Sequence, residues 1–223
     1  MAFHKTKEEL ENDNSWHFIE LTKMHIDVPK LTKWYDDVLT TLPHLRFNFD
    51  RQDLVKPGVM QNILLGPMHS FGMSWPVEQE LPIPPRYAAL PHLYPETLVD
   101  EDLFSSQMKV MEQYKFGYFK ELFELYGEDF FSWARITVHE STAKIDPHSD
   151  SEGGDDMYRL HIPIITNDDA MFNWDDSSYN FKVGKAYLIN TSITHSTHNK
   201  GTTTRSHIIS HPKNIKWILE NLA

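Results

Sequence analysis

Met157-Tyr158-Arg159-Leu160-His161-Ile162-Pro163-Ile164-Ile165 alternates polar or small residues with large aliphatic ones. A period of two is the mark of a strand, and it puts Arg159 and His161 on the face opposite Leu160 and Ile162. A guanidinium and an imidazole on one strand face, with aliphatic residues on the other, predict a sheet with two distinct environments. Outward from this stretch the same period recurs. Phe131–His139 reads as a strand upstream, and Ala170–Trp174, Tyr179–Val183, Ala186–Asn190 and Arg205–Ser210 read as strands downstream, with Val183-Gly184-Lys185 as a tight turn. Many short strands between Asp, Asn, Gly and Ser turns predict a sandwich or jelly roll.

The first half reads differently. Trp16–Leu21 is a short strand, and Asp27 caps a helix over Pro29–Leu42 whose buried stripe includes Leu31, Trp34, Tyr35 and Val38. Residues 43–104 are rich in proline and aromatics, with a short strand near Gln61–Leu65 and an ordered loop from Trp75 to Pro95. A second helix is expected over Ser105–Tyr126, and a last one over Lys213–Asn221. The fold class is therefore mainly β with flanking helices (α+β). One domain spans 1–223: a helical and loop elaboration (1–128), a core barrel (129–211) and a C-terminal helix (212–223).

Composition narrows the chemistry. With 21 basic against 32 acidic side chains, the formal net charge is −11, which disfavours a nucleic-acid backbone as partner. Zero cysteines exclude disulfides, thiolate metal sites and a cysteine nucleophile. Any metal must be held by His, Asp or Glu, and 13 histidines are available. No leader-like or membrane-length apolar run is present, so a cytoplasmic protein without a membrane partner is expected.

His148-Ser149-Asp150 is a His-x-Asp pair, in which residues i and i+2 of an extended segment reach one cation. A second histidine from a distant strand would complete a two-histidine, one-carboxylate face with open coordination positions, a set that suits iron(II). The pair has little specificity by itself, because about one His-x-Asp is expected by chance in a chain of this composition. His25-Ile26-Asp27 is a second instance, explained by helix capping. His148-Ser149-Asp150 differs in its company: the glycine-containing loop 151–156, the strand with Arg159 and His161, then His195, and Arg205 ten residues on.

On these residues the run from His148 to Ser210 resembles the aspartyl/asparaginyl β-hydroxylase-type family of Fe(II)/2-oxoglutarate-dependent oxygenases. Its matching pieces are His148-Ser149-Asp150, Arg159 to Ile164, Gly184-Lys185, and His195 with Arg205. Because Asp150 is present, the chain looks more like the bacterial proline and amino-acid hydroxylases than the vertebrate branch, which lacks that carboxylate. The resemblance implies a double-stranded β-helix (jelly-roll, cupin-like) core, with Fe(II) bound by His148, Asp150 and His195. It implies 2-oxoglutarate as cosubstrate on Arg205, with Thr137 as a helper hydroxyl and O2 as oxidant; ascorbate would be stimulatory. For Arg159 and His161 it implies the C1 carboxylate of the cosubstrate or the carboxylate of a substrate. A rim pairing of Arg159 with Asp155 or Asp156 is the other reading.

The implied reaction hydroxylates an unactivated C–H bond of a free or peptidyl amino acid and decarboxylates 2-oxoglutarate to succinate. Gly153-Gly154 would lie in a lid. The oligomeric state is not fixed by these residues. His207 shares the face of Arg205 and reads first as a hydrogen-bonded core histidine, with His198 and His211 nearby in sequence. Arg135 and His139 share the face of Thr137 and reach toward the substrate side or the core. Trp174 reads equally as core packing or as a substrate wall. Two rival functions use the same triad: a non-catalytic cupin-like binding protein, which has no need of Arg205, and a zinc hydrolase, which has no need of either arginine.

Overall fold

The computed structural model describes residues 16–41, 68–76, 108–150 and 158–223. Its elements in chain order are β1 (Phe18–Glu20), α1 (Val28–Thr41), β2 (Met68–Gly72), β3 (Ser74–Pro76), β4 (Met108–Val110), a 3-10 turn (Glu112–Tyr114) and α2 (Gly117–Tyr126). They continue with β5 (Arg135–His139), β6 (Lys144–His148), β7 (Tyr158–Ile165), β8 (Ala170–Trp174), β9 (Ser178–Tyr179), β10 (Tyr187–Asn190), β11 (His195–Asn199), β12 (Arg205–Ser210) and α3 (Ile215–Leu222).

The strand pairings nest: β5 pairs with β12, β6 with β11, β7 with β10 and β8 with β9, all antiparallel. This is one long hairpin wound into a barrel, the double-stranded β-helix that the resemblance implied. It makes a large sheet of order β1-β10-β7-β12-β5-β2 and a small one of order β6-β11-β8-β9, with β3 and β4 as a separate ribbon. The strands β1 and β2, from the first half of the chain, extend the large sheet at its two edges.

The large sheet has the two environments read from β7. On its outer face Leu160, Ile162, Ile136, Val138, Leu188 and Ile208 are buried in one apolar cluster with Leu31, Trp34 and Val38 of α1 and Phe119 and Leu122 of α2. Burying each large side chain contributes roughly 1.5–3 kcal/mol, so this layer fixes the barrel beneath the helices. Trp34 stacks on Phe119 at 5.0 Å and donates from Nε1 to the Tyr114 carbonyl at 3.3 Å. The inner face carries Arg135, Thr137, His139, Arg159, His161, Arg205 and His207, brought together by the registers of β5, β12 and β7. Among the described residues, no helix is long and apolar enough to cross a membrane.

Several predicted boundaries are corrected. The helix expected over Ser105–Tyr126 starts only at Gly117; Met108–Val110 is a strand paired with β3. Phe116 is extended (φ −137°, ψ 169°) and Gly117 has φ +51°, which breaks any helix before it. The strand expected over Phe131–His139 starts at Arg135, because Trp133 takes a left-handed φ of 46°. Of the strand expected over Tyr179–Val183 only Tyr179 is in a strand, the two-residue β9. The strands β6 and β11 were not predicted. Leu42, the strand near Gln61–Leu65, most of the loop from Trp75 to Pro95, Asp155, Asp156 and the Gly153-Gly154 loop lie outside the described residues.

Candidate metal centre

Antiparallel pairing brings the end of β6, the start of β11, the start of β7 and the end of β8 to one mouth of the barrel. His148 ends β6 and lies directly opposite His195, which opens β11 and faces Trp174 on its other side. Asp150 lies just past β6, and its backbone N–H donates to the Thr191 carbonyl at 2.9 Å, which ties this carboxylate to the connection before β11. One ligand atom from each of His148, Asp150 and His195 falls within 4.8 Å of the others. His148 Nε2 is 3.3 Å from Asp150 Oδ1, and the two imidazole rings are 4.5 Å apart.

Both imidazoles are held the same way. His148 Nδ1 lies 2.8 Å from the Asp146 carbonyl, and His195 Nδ1 lies 2.9 Å from the Ile193 carbonyl. A carbonyl only accepts, so each Nδ1 carries a proton, which turns each Nε2 toward the position a cation would take. Burial, ahead of all other causes, lowers the pKa of His195 and so favours the neutral ligand form. Arg159 Nε stands 3.6 Å from Asp150 Oδ2. Its Nη1 donates to the Tyr158 carbonyl at 3.1 Å, so among the described residues Arg159 reaches the triad carboxylate, a contact that the sequence did not suggest.

Deeper in the barrel the polar residues form a column. Arg205 is 3% exposed, its guanidinium 3.3 Å from His139 Nδ1 and 3.2 Å from His207 Nδ1. His207 Nδ1 is also 3.4 Å from His161 Nδ1. A guanidinium only donates, so Nδ1 of His139 and of His207 must accept. The proton of a neutral His207 therefore sits on Nε2, which is buried without a partner among the described residues. Burial first, and then Arg205, push the pKa of both His161 and His207 well below the ordinary histidine value. Burial brings the Arg205 guanidinium down to about 10, still cationic at neutral pH.

Thr137 Oγ1 and Thr197 Oγ1 are likewise buried without a partner among the described residues. Thr137 lies opposite His207 in the β5–β12 register, and Thr197 shares the inward face of β11 with His195. Thr197 was missed in the sequence. Its signal was present at position i+2 from His195, but it becomes readable only once β11 is recognised as a strand. His198 falls on the other face of β11, away from the triad. Trp174 is buried, stacks on His17 at 4.7 Å and packs with Phe172 and Phe181 inside the barrel next to His195.

Two imidazoles and one carboxylate thus converge at the mouth of a double-stranded β-helix, a donor set suited to iron(II), with the buried Arg205 guanidinium below them. Residues 107–212 match the family model described as Aspartyl/Asparaginyl beta-hydroxylase, and over this region the chain is similar to that family. The resemblance drawn from His148 to Ser210 is thus borne out, and it extends back through α2 and β5. No curated protein sequence matches.

Among solved structures, an oxidoreductase of the 2OG-Fe(II) oxygenase family from Burkholderia pseudomallei is 12% identical, with a TM-score of 0.48. That match covers 95% of this chain and 93% of the other. A prolyl-4-hydroxylase from Pseudomonas putida is 6% identical, with a TM-score of 0.44 and coverages of 91% and 93%. HygX from Streptomyces hygroscopicus, with nickel and 2-oxoglutarate bound, is 11% identical, with a TM-score of 0.40 and coverages of 94% and 88%. At scores below 0.5 these likenesses add nothing to the geometry of the site.

Proposed function

We propose that the protein hydroxylates an unactivated C–H bond of an amino-acid-like small molecule, with Fe(II) held by His148, Asp150 and His195 and 2-oxoglutarate anchored on Arg205. The observation that carries this is the state of Arg205. It is a buried cation whose described partners are neutral imidazoles, and among the described residues no carboxylate pairs with it. A buried, uncompensated guanidinium is costly, and its planar fork matches a carboxylate. The buried Thr137 and Thr197 hydroxyls and the His207 Nε2–H supply further donors on the same inner face, as a dicarboxylate reaching down from the metal requires. The donor set also fits the ion: two neutral imidazoles and one carboxylate suit iron(II) and leave positions for other ligands.

When bound, Fe(II) and 2-oxoglutarate with O2 supply the oxidising chemistry, 2-oxoglutarate losing CO2 to become succinate. The chain's own part is to hold both in register. The backbone carbonyls of Asp146 and Ile193 orient the two imidazoles, Arg159 braces Asp150, and the aromatic cluster of Phe172, Trp174 and Phe181 keeps the interior dry. We read the whole chain as one oxygenase domain, since β1 and β2 complete the barrel's large sheet.

The test supplies the purified protein with Fe(II), ascorbate and 2-oxoglutarate under air and follows succinate, with and without a panel of amino acids. Turnover is expected, and Arg205→Ala should raise the half-saturating 2-oxoglutarate concentration about a hundredfold, as expected for loss of a buried charge partner. No succinate under any condition, or an unchanged 2-oxoglutarate dependence in Arg205→Ala, would leave a metal-binding protein without this activity.

A further inference from the structure

His207 is wholly buried in the middle of the inner column, opposite Thr137 on β5 and Pro163 on β7. Its ring stands perpendicular to that of His161, at 89° with centroids 5.6 Å apart. Two groups meet its Nδ1: Arg205 Nη2 at 3.2 Å and His161 Nδ1 at 3.4 Å. A guanidinium only donates, so His207 Nδ1 carries no proton. Two bare ring nitrogens at this separation would repel, so His161 donates from its Nδ1 to the same lone pair. The charge of Arg205 thus fixes the tautomers of two histidines in succession.

The same contacts fix Arg205. Its Nη1 lies 3.3 Å from His139 Nδ1 and its Nη2 lies 3.2 Å from His207 Nδ1, so each terminal nitrogen commits one N–H to an imidazole. The second N–H on each remains, and the two together form the fork that a carboxylate accepts bidentately. Held at one terminal nitrogen, a guanidinium can swing about that contact; held at both, its plane and its fork are set. A carboxylate in place of the imidazole would hold the group as well but would cancel its charge. Burial first, and then Arg205, keep His207 neutral, so it supplies an acceptor without a charge. An apolar side chain would suit so buried a position and strand no donor, whereas His207 leaves its Nε2–H without a partner among the described residues. What the position gains from histidine is the acceptor at Nδ1.

We propose that His207 is a positioning residue for the cosubstrate: its bare Nδ1 holds the Arg205 fork in the orientation that the distal carboxylate of 2-oxoglutarate engages. It acts through Arg205 rather than by touching the ligand. This rests on the oxygenase reading above and deepens it.

The test titrates 2-oxoglutarate into the Fe(II)-loaded full chain under argon by calorimetry, so that binding is read without turnover. His207→Phe keeps a ring but removes the acceptor. It should raise Kd for 2-oxoglutarate about tenfold, as for loss of a hydrogen bond to a charged group, with iron bound per chain unchanged. His207→Asn places an amide oxygen where Nδ1 stood and should recover most of that loss. His207→Gln places its amide near the position of Nε2 instead and should not. A second measurement needs no variant: long-range nitrogen–proton spectra of the imidazoles, with diamagnetic Zn(II) in the site, should show His207 protonated on Nε2 and His161 on Nδ1. His207 protonated on Nδ1, an unchanged Kd in His207→Phe, or rescue by Gln but not by Asn, which would make Nε2–H a direct contact, would each overturn this inference alone. A wild-type chain that binds iron but no 2-oxoglutarate would defeat the oxygenase reading, and this inference with it.

Discussion

The chain contains the same three-residue pattern twice, and its two copies have opposite fates. In His25-Ile26-Asp27 the carboxylate turns back on its own chain: Asp27 Oδ1 accepts from Lys30 N–H at 3.1 Å, and its carbonyl accepts from Leu31 N–H at 2.9 Å. His25 is exposed, and its carbonyl accepts from the Tyr118 hydroxyl at 3.3 Å. In His148-Ser149-Asp150 the two side chains converge on one another and on His195. Local sequence is common to both; what differs is the next partner. The first pattern is followed by a helix, which takes the carboxylate as an N-cap. The second ends an edge strand and is met by a strand returning from far along the chain. A His-x-Asp pair is a metal site only when the topology delivers its third ligand.

The largest effect tests that difference directly. His148→Ala and His195→Ala should each abolish stoichiometric Fe(II) binding, a loss well above the 10–100-fold that outer-sphere changes produce. His25→Ala should leave binding unchanged. The measurement is iron bound per chain after anaerobic loading and desalting. Retained iron in His148→Ala, or iron lost in His25→Ala, would erase the distinction between the two copies.

How far the sequence could be read follows the same line. The strands β7, β8 and β12 were legible because their outward or inward faces carry a regular row of large apolar residues. The strands β6 and β11 were not, although they carry two of the three triad residues. Lys144-Ile145-Asp146-Pro147-His148 is largely exposed and has Ile145 as its one aliphatic residue besides Pro147, and His195-Ser196-Thr197-His198-Asn199 spends its buried positions on polar groups, so no apolar alternation remains. Pro147 also argues against a strand, and is admitted because β6 lies at the edge of its sheet. Thr197 and the contact of Arg159 with Asp150 were hidden for the same reason: both depend on register across strands that the pattern does not reveal. The long helix expected over Ser105–Tyr126 failed differently. Its apolar residues are spaced well enough for a helix, but Val110 is instead buried in a strand and Tyr114 in a 3-10 turn, with tertiary packing overriding the local period.

A smaller effect separates buried histidines from the triad's surroundings by acid. His161, His207 and His211 are held neutral in the folded chain, by burial first and by neighbouring guanidiniums second, with pKa values well below 6.5. In the unfolded chain each titrates near 6.5. Above that pH neither state is protonated and none of the three affects stability. Below it the unfolded chain takes up protons that the folded chain refuses, so stability falls by up to about 1.4 kcal/mol per pH unit for each histidine. Urea unfolding of the metal-free protein from about pH 7.5 to about pH 5.5 should show this downward curvature, to which the lowered His195 adds, and His211→Gln should make the acid slope shallower. A flat profile across that range would mean that the inner histidines are not kept neutral by the fold.

The smallest effect sharpens the comparison most, because it asks whether charge or merely an acceptor is required at each carboxylate. At position 27 the carboxylate serves as a cap, a task that asparagine performs as well as aspartate. Asp27→Ala should therefore cost about 1 kcal/mol of stability, read as a shifted urea midpoint, with iron binding unchanged. Asp27→Asn should be silent in both measurements. At position 150 the carboxylate faces two imidazoles and the Arg159 guanidinium, and a neutral amide supplies neither the negative charge nor the same oxygen pair. Asp150→Asn should thus weaken iron binding with little change in the urea midpoint of the metal-free chain. If Asp150→Asn kept its iron while Asp27→Asn destabilised the fold, the assignment of cap to one pattern and ligand to the other would be reversed.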